Sequence, residues 1–192
     1  MLRAPLTVEL ALLGFLREGP LHGYEIHRRL SDPAGLGLVW TLKQSHLYAL
    51  LARLEADGNL TSTVEPQETR PPRKLFQLTE TGRGAFQDWV QTPVPHGRDL
   101  RLDFLTKFYF AQREGPPVLA QLMRRQRTAC QDWLRAQRAQ AQAARESRPY
   151  EWLVCQFRIG QIEAMQAWLD VCEQAPVAAS RPPDDGAPAR PL

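Results

Sequence analysis

The sequence predicts a mainly α-helical protein with one small β-hairpin, arranged as an N-terminal domain (residues 1–92), a C-terminal helical arm (98–175) and a disordered tail (176–192). Three observations carry this prediction. Apolar residues recur at helical spacing along most of the 192 residues. Two short β-type stretches flank a proline-bearing turn in the first half. The run Pro93-Val94-Pro95-His96-Gly97 interrupts the helical pattern near the middle, which sets the predicted domain boundary.

Composition is typical of a globular protein with its own core, with 43% apolar and 23% charged residues. No apolar run is long enough to span a membrane and the start resembles no signal peptide, so a cytoplasmic protein is expected. The net charge of +3 permits an anionic partner without requiring one, since residues 1–90 carry ten basic and ten acidic groups. Cys130, Cys155 and Cys172 lie within helical patterns, which favours reduced core thiols over a redox sensor or a dimer disulfide.

The first domain is predicted to contain three helices, a hairpin and a fourth helix. The first two helices cover residues 8–18 and 24–30, with Gly19-Pro20 between them. The third covers about 43–57 and is capped by Gly58. Its inward stripe is Leu47, Leu50, Leu51 and Leu54. Strands are predicted at 60–64 and 74–78, and Phe86, Trp89 and Val90 of the next helix should pack back on the domain.

The arm is predicted to contain helices over residues 100–111, 118–146 and 150–174. The first should bury Leu102, Leu105, Phe108 and Tyr109. Along each of the two longer helices, the residues of one stripe are spaced alternately three and four apart, which is typical of coiled-coil seams. We therefore expect these helices to join two copies of the chain in a homodimer. The expected dimerisation residues are Leu119, Leu122, Trp133, Trp152, Ile159, Ile162 and Leu169.

This order of elements describes a winged helix-turn-helix, a motif that reads the DNA major groove. Local strings also resemble the PadR family. They are LLGFL at 12–16, GPLHGYEI at 19–26, Leu47-Tyr48, LEADG at 54–58 and RKLFQLTETG at 73–82. The resemblance covers residues 8–90, and the arm is similar in length and layout to the branch with a long C-terminal arm. It implies a homodimeric bacterial regulator, commonly a repressor. Ala49 departs from the family, where many members carry proline, so helix three is expected to be less kinked or to begin differently here.

The predicted DNA contacts lie at the exposed start of helix three, on the wing and beside helix two. Gln44 suits adenine, Ser45 and His46 suit base edges, and Ala49 suits a thymine methyl group, whereas Lys43 and Tyr48 suit phosphates. The alternative is a merely solvated helix face. The wing (about 60–78) concentrates three cations beside Pro71-Pro72, with Glu65 and Glu68 opposing their charge. These cations are Arg70, Arg73 and Lys74.

Two further groups allow a binding and a structural interpretation. The segment His22-Gly23-Tyr24 could present backbone amides and the Tyr24 phenol to a phosphate, or Gly23 could simply permit close helix packing. Five tryptophans could line an effector pocket near Trp89, Phe108 and Trp133, or could serve only core and dimer packing.

Other chemistries find little support in the residues. No histidine or cysteine cluster has metal-ligand spacing, no glycine-rich phosphate loop follows a strand, and Ser45-His46 lacks a nucleophile elbow, so no metal, cofactor or catalysis is expected. The expected partners are double-stranded DNA at a palindromic operator, a second copy of the chain and a small-molecule effector that releases DNA. The alternatives are an interaction adaptor without DNA binding, which the neutral first domain favours, and a small-molecule enzyme.

Overall fold

A computed structural model describes residues 7–66 and 72–174 of the chain. The first three helices are α1 (Thr7–Phe15), α2 (Gly23–Leu30) and α3 (Gln44–Ala56). Between them lie the two-residue strand β1 (Leu21–His22) and a short 3₁₀ turn (Leu36–Leu38), neither of which was predicted. The first helix ends three residues before the predicted Glu18 because the backbone tightens into a turn, with the Leu16 N–H donating to the Leu13 carbonyl.

The sheet has three antiparallel strands in the order β1-β3-β2, where β2 is Leu60–Glu65 and β3 is Arg73–Leu78. Leu60 pairs with Leu78 and Glu65 with Arg73, so β2 and β3 form the predicted hairpin. β1 pairs with the other edge of β3, where Leu21 lies opposite Phe76. We call β2, β3 and residues 66–72 between them the wing. The tip residues 67–71 lie outside the described part of the chain.

Helix α3 ends as its sequence predicts. Gly58 adopts a positive φ of 73°, and the Asn59 N–H donates to the Leu54 carbonyl at 2.9 Å. After the sheet, α4 (Glu80–Gln91) starts at Thr79, whose hydroxyl oxygen accepts the Gly82 N–H at 3.0 Å. Phe86, Trp89 and Val90 of α4 are buried, as predicted.

The arm contains a 3₁₀ turn (Gly97–Arg101) and helices α5 (Asp103–Glu114), α6 (Pro116–Ala144) and α7 (Pro149–Gln174). Of the residues predicted to face inward here, Leu102 precedes α5 and is 41% exposed, whereas Leu105, Phe108 and Tyr109 are half-buried. The buried α5 residues are Phe104, Thr106, Lys107, Phe110 and Ala111. The physical reason is that α5 packs against α1 and α4 as well as α6, so its apolar residues are not confined to one side.

The buried residues of α6 lie on the face that packs on α7 of the same chain. They are Leu122, Met123, Gln126, Cys130, Leu134, Ala141 and Ala144. Of the residues predicted for dimerisation on this helix, Leu122 is buried, whereas Leu119 and Trp133 are half-buried. The contact with α7 selects which face of α6 turns inward.

One apolar core runs through both halves of the molecule. The same cluster of buried residues includes Leu12 of α1, Phe110 of α5 and Leu169 of α7. Val94, within the predicted boundary segment, is 1% exposed, and its N–H donates to Oε1 of the buried Gln126 at 2.9 Å. The predicted boundary is therefore a packed connection between the halves.

The three cysteines are free thiols. Cys130 and Cys155 are buried and Cys172 is half-buried. Burial raises the pKa of the Cys130 thiol, and it raises the pKa of Cys172 to about 11. Both thiols therefore stay protonated at neutral pH, which favours the structural interpretation for these two residues.

Candidate nucleic-acid interface

Helix α3 turns its leucine stripe inward and its polar residues outward. Leu47, Leu50, Leu51 and Leu54 are all buried in the core. The residues of this segment predicted to contact bases or phosphates are all exposed, namely Lys43, Gln44, Ser45, His46, Tyr48 and Ala49. The backbone before the helix is held by His27, whose Nε2 lies 3.0 Å from the Leu42 carbonyl oxygen. The start of α3 thus presents a continuous row of hydrogen-bonding side chains on a fixed element.

The start of α2 packs closely against α3. A Cβ on Gly23 would lie 2.5 Å from Cε1 of Tyr48, well inside van der Waals contact. Only glycine therefore allows the Tyr48 ring to rest on this backbone, which supports the structural interpretation of Gly23. Tyr48 remains 42% exposed, so one part of its ring packs while the other faces outward.

Tyr24 and Arg73 form a cation-aromatic pair at the base of the wing. The Arg73 guanidinium carbon lies 5.4 Å from the centre of the Tyr24 ring. The other neighbour of that ring is His22, which stacks on it with centroids 5.7 Å apart and an interplanar angle of 13°. Tyr24 is 44% exposed, so the structure brings two predicted contact residues together at an accessible site.

Lys74 points at helix α3 and meets a carboxylate there. Its Nζ donates to Oε2 of Glu55 at 3.0 Å, and the Ser62 hydroxyl donates to Oε1 of the same carboxylate. These two hydrogen bonds, with the nearby ammonium charge, lower the pKa of Glu55, so it stays ionised. Lys74 is therefore shared between solvent and an intrachain partner, and the wing is tied to α3.

Glu55 and Ser62 were not among the predicted site residues, and His22 was considered only for its backbone amide. Glu55 sits 7 residues from Ser62 and 19 from Lys74, and no local pattern signals that the three meet. The pairing depends on how the hairpin folds over the end of α3. Arg70, the third predicted wing cation, lies outside the described residues.

The residues predicted for an effector pocket lie in different aromatic groups. Trp89 packs with Phe86 and Phe110, whereas Phe108 packs with Phe104 and Trp168. A cavity of about 600 Å³ lies between the 3₁₀ turn of the arm, α5 and α7. Its lining includes Leu100, Arg101, Leu105, Met165 and Trp168. Phe108, one of the predicted pocket residues, packs against Trp168, which lines this cavity.

Several residues predicted for dimerisation are used within the chain. Leu122 and Leu169 are completely buried and Ile162 is 6% exposed. Leu119, Trp133, Trp152 and Ile159 are half-buried. The three most buried side chains leave almost no surface for a second copy, because α6 and α7 pack on one another through them.

Sequence comparisons agree with this arrangement of elements. The family model described as "Transcriptional regulator PadR-like family" matches residues 12–88. The "Negative transcriptional regulator PadR" of Bacillus subtilis (strain 168) is 32% identical over 104 residues. Residues 12–88 belong to the PadR-like family. That match spans 54% of this PadR-like chain and 56% of the relative. A probable transcriptional regulator of Mycobacterium tuberculosis is 29% identical over 96 residues, 50% of each chain.

The PadR-like chain spans about half the length of the curated relatives it matches. A second model, described as "Virulence activator alpha C-term", matches residues 100–175, which is the arm. Among solved structures, Bacillus subtilis PadR in complex with operator DNA aligns with 87% of this chain and 97% of its own, at 24% identity and a TM-score of 0.45. The prediction of a PadR-type winged helix with a helical arm is confirmed.

Residues 7–66 and 72–174 hold no cluster of three or more histidine, cysteine or acidic side chains suited to a metal ion. No helix in the same ranges combines the length and apolarity needed to cross a membrane.

Proposed function

We propose that this PadR-like chain is a DNA-binding transcriptional repressor that acts as a homodimer in the cytoplasm and catalyses no reaction. The observation that carries the proposal is the exposed run from Lys43 to His46 at the start of α3, together with the contact between Tyr24 of α2 and Arg73 of the wing. Membership of a family of transcriptional regulators supports it, and the name of the Bacillus relative supports repression.

The proposed contacts follow from the chemistry of the exposed side chains. The Gln44 amide can bond an adenine edge through two hydrogen bonds, and Ser45 and His46 can each donate to or accept from a base. Arg73 would bind the phosphate backbone, which positions the protein without specifying sequence. Two copies related by a two-fold axis would place two α3 helices in successive major grooves about 34 Å apart and select a palindromic operator.

We further propose that a small molecule regulates this DNA binding through the arm. The cavity of about 600 Å³ beside Trp168 offers apolar and cationic lining in one place. A ligand that binds one arrangement of the two reader domains more tightly than the other would shift the dimer toward that arrangement. DNA is released if the spacing of the two α3 helices in the favoured arrangement no longer fits the operator.

The test is a fluorescence-anisotropy titration against the chain's own upstream DNA and a scrambled duplex at two salt concentrations. Gln44→Ala should reduce discrimination between the duplexes, by about 1–3 kcal/mol for a bidentate contact. The triple variant Arg70→Ala, Arg73→Ala, Lys74→Ala should weaken binding to both duplexes and flatten the salt dependence. Arg124→Ala, at an exposed position on α6, is the matched control.

A specific observation favours the adaptor as the second candidate. The first 90 residues are electrically neutral, and Lys74 is already paired with Glu55. Weak binding to both duplexes, with no linear dependence of affinity on salt, would reject the DNA-binding proposal and favour an adaptor.

A further inference from the structure

The segment between α2 and α3 (residues 31–43) lies against one face of α5. The Trp40 indole N–H donates to Oγ1 of Thr106 at 2.7 Å, across 66 residues of the chain. One turn farther along α5, the Tyr109 ring lies against the backbone of Gly35, since a Cβ there would be 3.4 Å from Cε2 of Tyr109. Residues three apart share a helix face, so the arm contacts this segment at two points.

The Thr106 hydroxyl is used in both directions. The side chain is completely buried, and its hydroxyl donates to the Leu102 carbonyl at 2.7 Å. A hydroxyl has one hydrogen to donate, so its oxygen lone pairs face the Trp40 indole, which can only donate. Loss of this hydroxyl therefore removes the acceptor of Trp40.

Trp40 lies four residues before the start of α3. Its backbone N–H donates to the Leu36 carbonyl at 2.8 Å, which ties it to the short 3₁₀ turn. Between Trp40 and Gln44 the chain forms neither helix nor strand, and His27 holds it at the Leu42 carbonyl. The exposed start of α3 thus follows directly from a segment that the arm holds by a side-chain hydrogen bond.

The same turn of α5 borders the cavity of about 600 Å³ for which a small-molecule ligand is proposed. Leu105 lines this cavity and is the residue before Thr106. Arg101 also lines it and precedes Leu102, whose carbonyl accepts the Thr106 hydroxyl. The cavity wall and the hydrogen bond that holds Trp40 are therefore formed by neighbouring residues of one short stretch of chain.

We infer that Trp40 and Thr106 are positioning residues for DNA reading, and that the arm sets operator affinity through the hydrogen bond between them. Neither side chain needs to touch DNA. The bond fixes the segment that leads into α3, so that the Gln44 amide meets a base edge in the geometry that two hydrogen bonds require. The inference rests on the proposed DNA binding and specifies where the arm acts on the reading helix.

The first experiment measures, by fluorescence anisotropy with the full chain, the ratio of affinities for its own upstream DNA and for a scrambled duplex. Thr106→Val keeps the side-chain shape without the acceptor, and displacement of Gln44 should lower this ratio at least about five-fold. Affinity for the scrambled duplex should change less than about two-fold, because phosphate contacts carry no sequence information. Trp40→Phe removes the donor and should reproduce both results.

Three further variants separate positioning from a general loss of stability. Thr106→Ser keeps the hydroxyl and should restore the wild-type ratio to within about two-fold. Thr128→Val is the matched control, since Thr128 is exposed on α6 and its hydroxyl likewise donates to the carbonyl four residues earlier, that of Arg124, at 3.1 Å. It should leave the ratio unchanged. The double variant Trp40→Phe, Thr106→Val should be no worse than either single variant, because both changes remove the same bond.

The second experiment detects the hydrogen bond itself by NMR of the chain isotope-labelled in its five tryptophan indoles. The Trp40→Phe spectrum identifies the Trp40 resonance. In Thr106→Val this resonance should shift, and its N–H should exchange with deuterium about ten-fold faster or more. Thr128→Val should leave the resonance in place.

The outcomes separate this inference from the proposed function. If the wild type discriminates between the duplexes and both Thr106→Val and Trp40→Phe discriminate equally well, the inference is overturned and DNA binding stands. An unchanged Trp40 resonance in Thr106→Val, or a lowered ratio that Thr106→Ser does not restore, also overturns it. If circular dichroism shows that Thr106→Val is unfolded, Trp40→Phe decides. A wild type that binds both duplexes equally rejects the proposed function and this inference together.

Discussion

Gly23 shows how a single absent side chain positions the candidate interface. The backbone at the start of α2 lies so close to Tyr48 that no Cβ fits. The aromatic ring thereby joins α2 to the outer face of α3, in a molecule whose DNA contacts are proposed to come from that face. The residue acts through packing and needs no contact with DNA.

We expect Gly23→Ala to lower the free energy of unfolding by roughly 1–3 kcal/mol, because the new methyl group displaces the Tyr48 ring. Urea unfolding followed by circular dichroism measures the change. Gly84→Ala is the control, since a Cβ there meets nothing within 4 Å and removing a helical glycine should raise stability by about 0.5–1 kcal/mol. Equal effects of the two changes would contradict the close contact at Gly23.

Lys107 is a charged residue inside the arm. It is 4% exposed, its Nζ donates to the Thr92 carbonyl at 2.6 Å, and it lies over the Trp89 ring. Burial lowers the pKa of Lys107 from its ordinary value of 10.5 to about 8, against the opposing charge of Asp103. Below pH 8 Lys107 is protonated in both the folded and the unfolded chain. The folded chain then carries the full free-energy cost of burying the charged ammonium group.

Between about pH 8 and 10.5 the unfolded chain binds more protons at Lys107 than the folded chain does. The contribution of this residue to the free energy of unfolding should therefore rise with pH across that window. Lys107→Met should remove this rise. Urea unfolding at four pH values, for wild type and variant, isolates the effect because tyrosines and cysteines titrate in both. If the difference in free energy of unfolding between the wild type and Lys107→Met does not change with pH, the pKa of Lys107 is not lowered in the folded chain.

At the scale of elements, the wing and α3 behave as one unit because Glu55 joins them. Lys74 and Ser62 both donate to this carboxylate, one from each wing strand. Arg73 instead lies over Tyr24, which leaves its guanidinium without a competing carboxylate in that contact. Neighbouring cations of the wing therefore differ in how freely they can meet phosphates.

We expect Arg73→Ala to weaken DNA binding several-fold and to reduce the slope of log affinity against log salt by about 0.9, the value of one phosphate contact. Lys74→Ala should change both quantities less, because its ammonium exchanges Glu55 for phosphate. Anisotropy titrations at four salt concentrations measure the slopes, with Arg124→Ala as control. A larger effect at Lys74 would mean that Lys74 leaves Glu55 when DNA binds.

At the scale of the whole molecule, the two halves share one core. Gln126 is completely buried on α6 and accepts the Val94 N–H of the connecting segment. Farther away, Arg17 donates two hydrogen bonds to Glu114, 97 residues along the chain, at 2.8 and 3.0 Å. These contacts join the arm to the domain that carries α3, as the proposed effector response requires.

We expect Gln126→Leu to cost roughly 1–3 kcal/mol, since the buried Val94 N–H loses its acceptor. Thermal unfolding should remain a single transition, coincident by circular dichroism and tryptophan fluorescence, and should shift as a whole. Gln131→Leu, at an exposed site on the same helix, should change stability by about 0.5 kcal/mol or less. Two separate transitions would contradict the shared core.

The sequence by itself determined the order of the seven α-helices and of the wing hairpin, and the inward stripe of α3. Leu47, Leu50, Leu51 and Leu54 allow only one buried face, so the exposed residues of that helix follow from its period. The capping of α3 by Gly58 likewise depends on local backbone geometry. Such features are predictable because each is settled within about one or two helical turns.

The tertiary structure alone decided which faces of α5 and α6 are buried, and it created β1 and the Lys74–Glu55 pair. Strand β1 has two residues and exists only because β3 lies beside it. Helix α5 packs on several helices, so periodicity cannot rank its faces. The energy that separates these alternatives comes from contacts between residues far apart in the chain, and no local pattern records it.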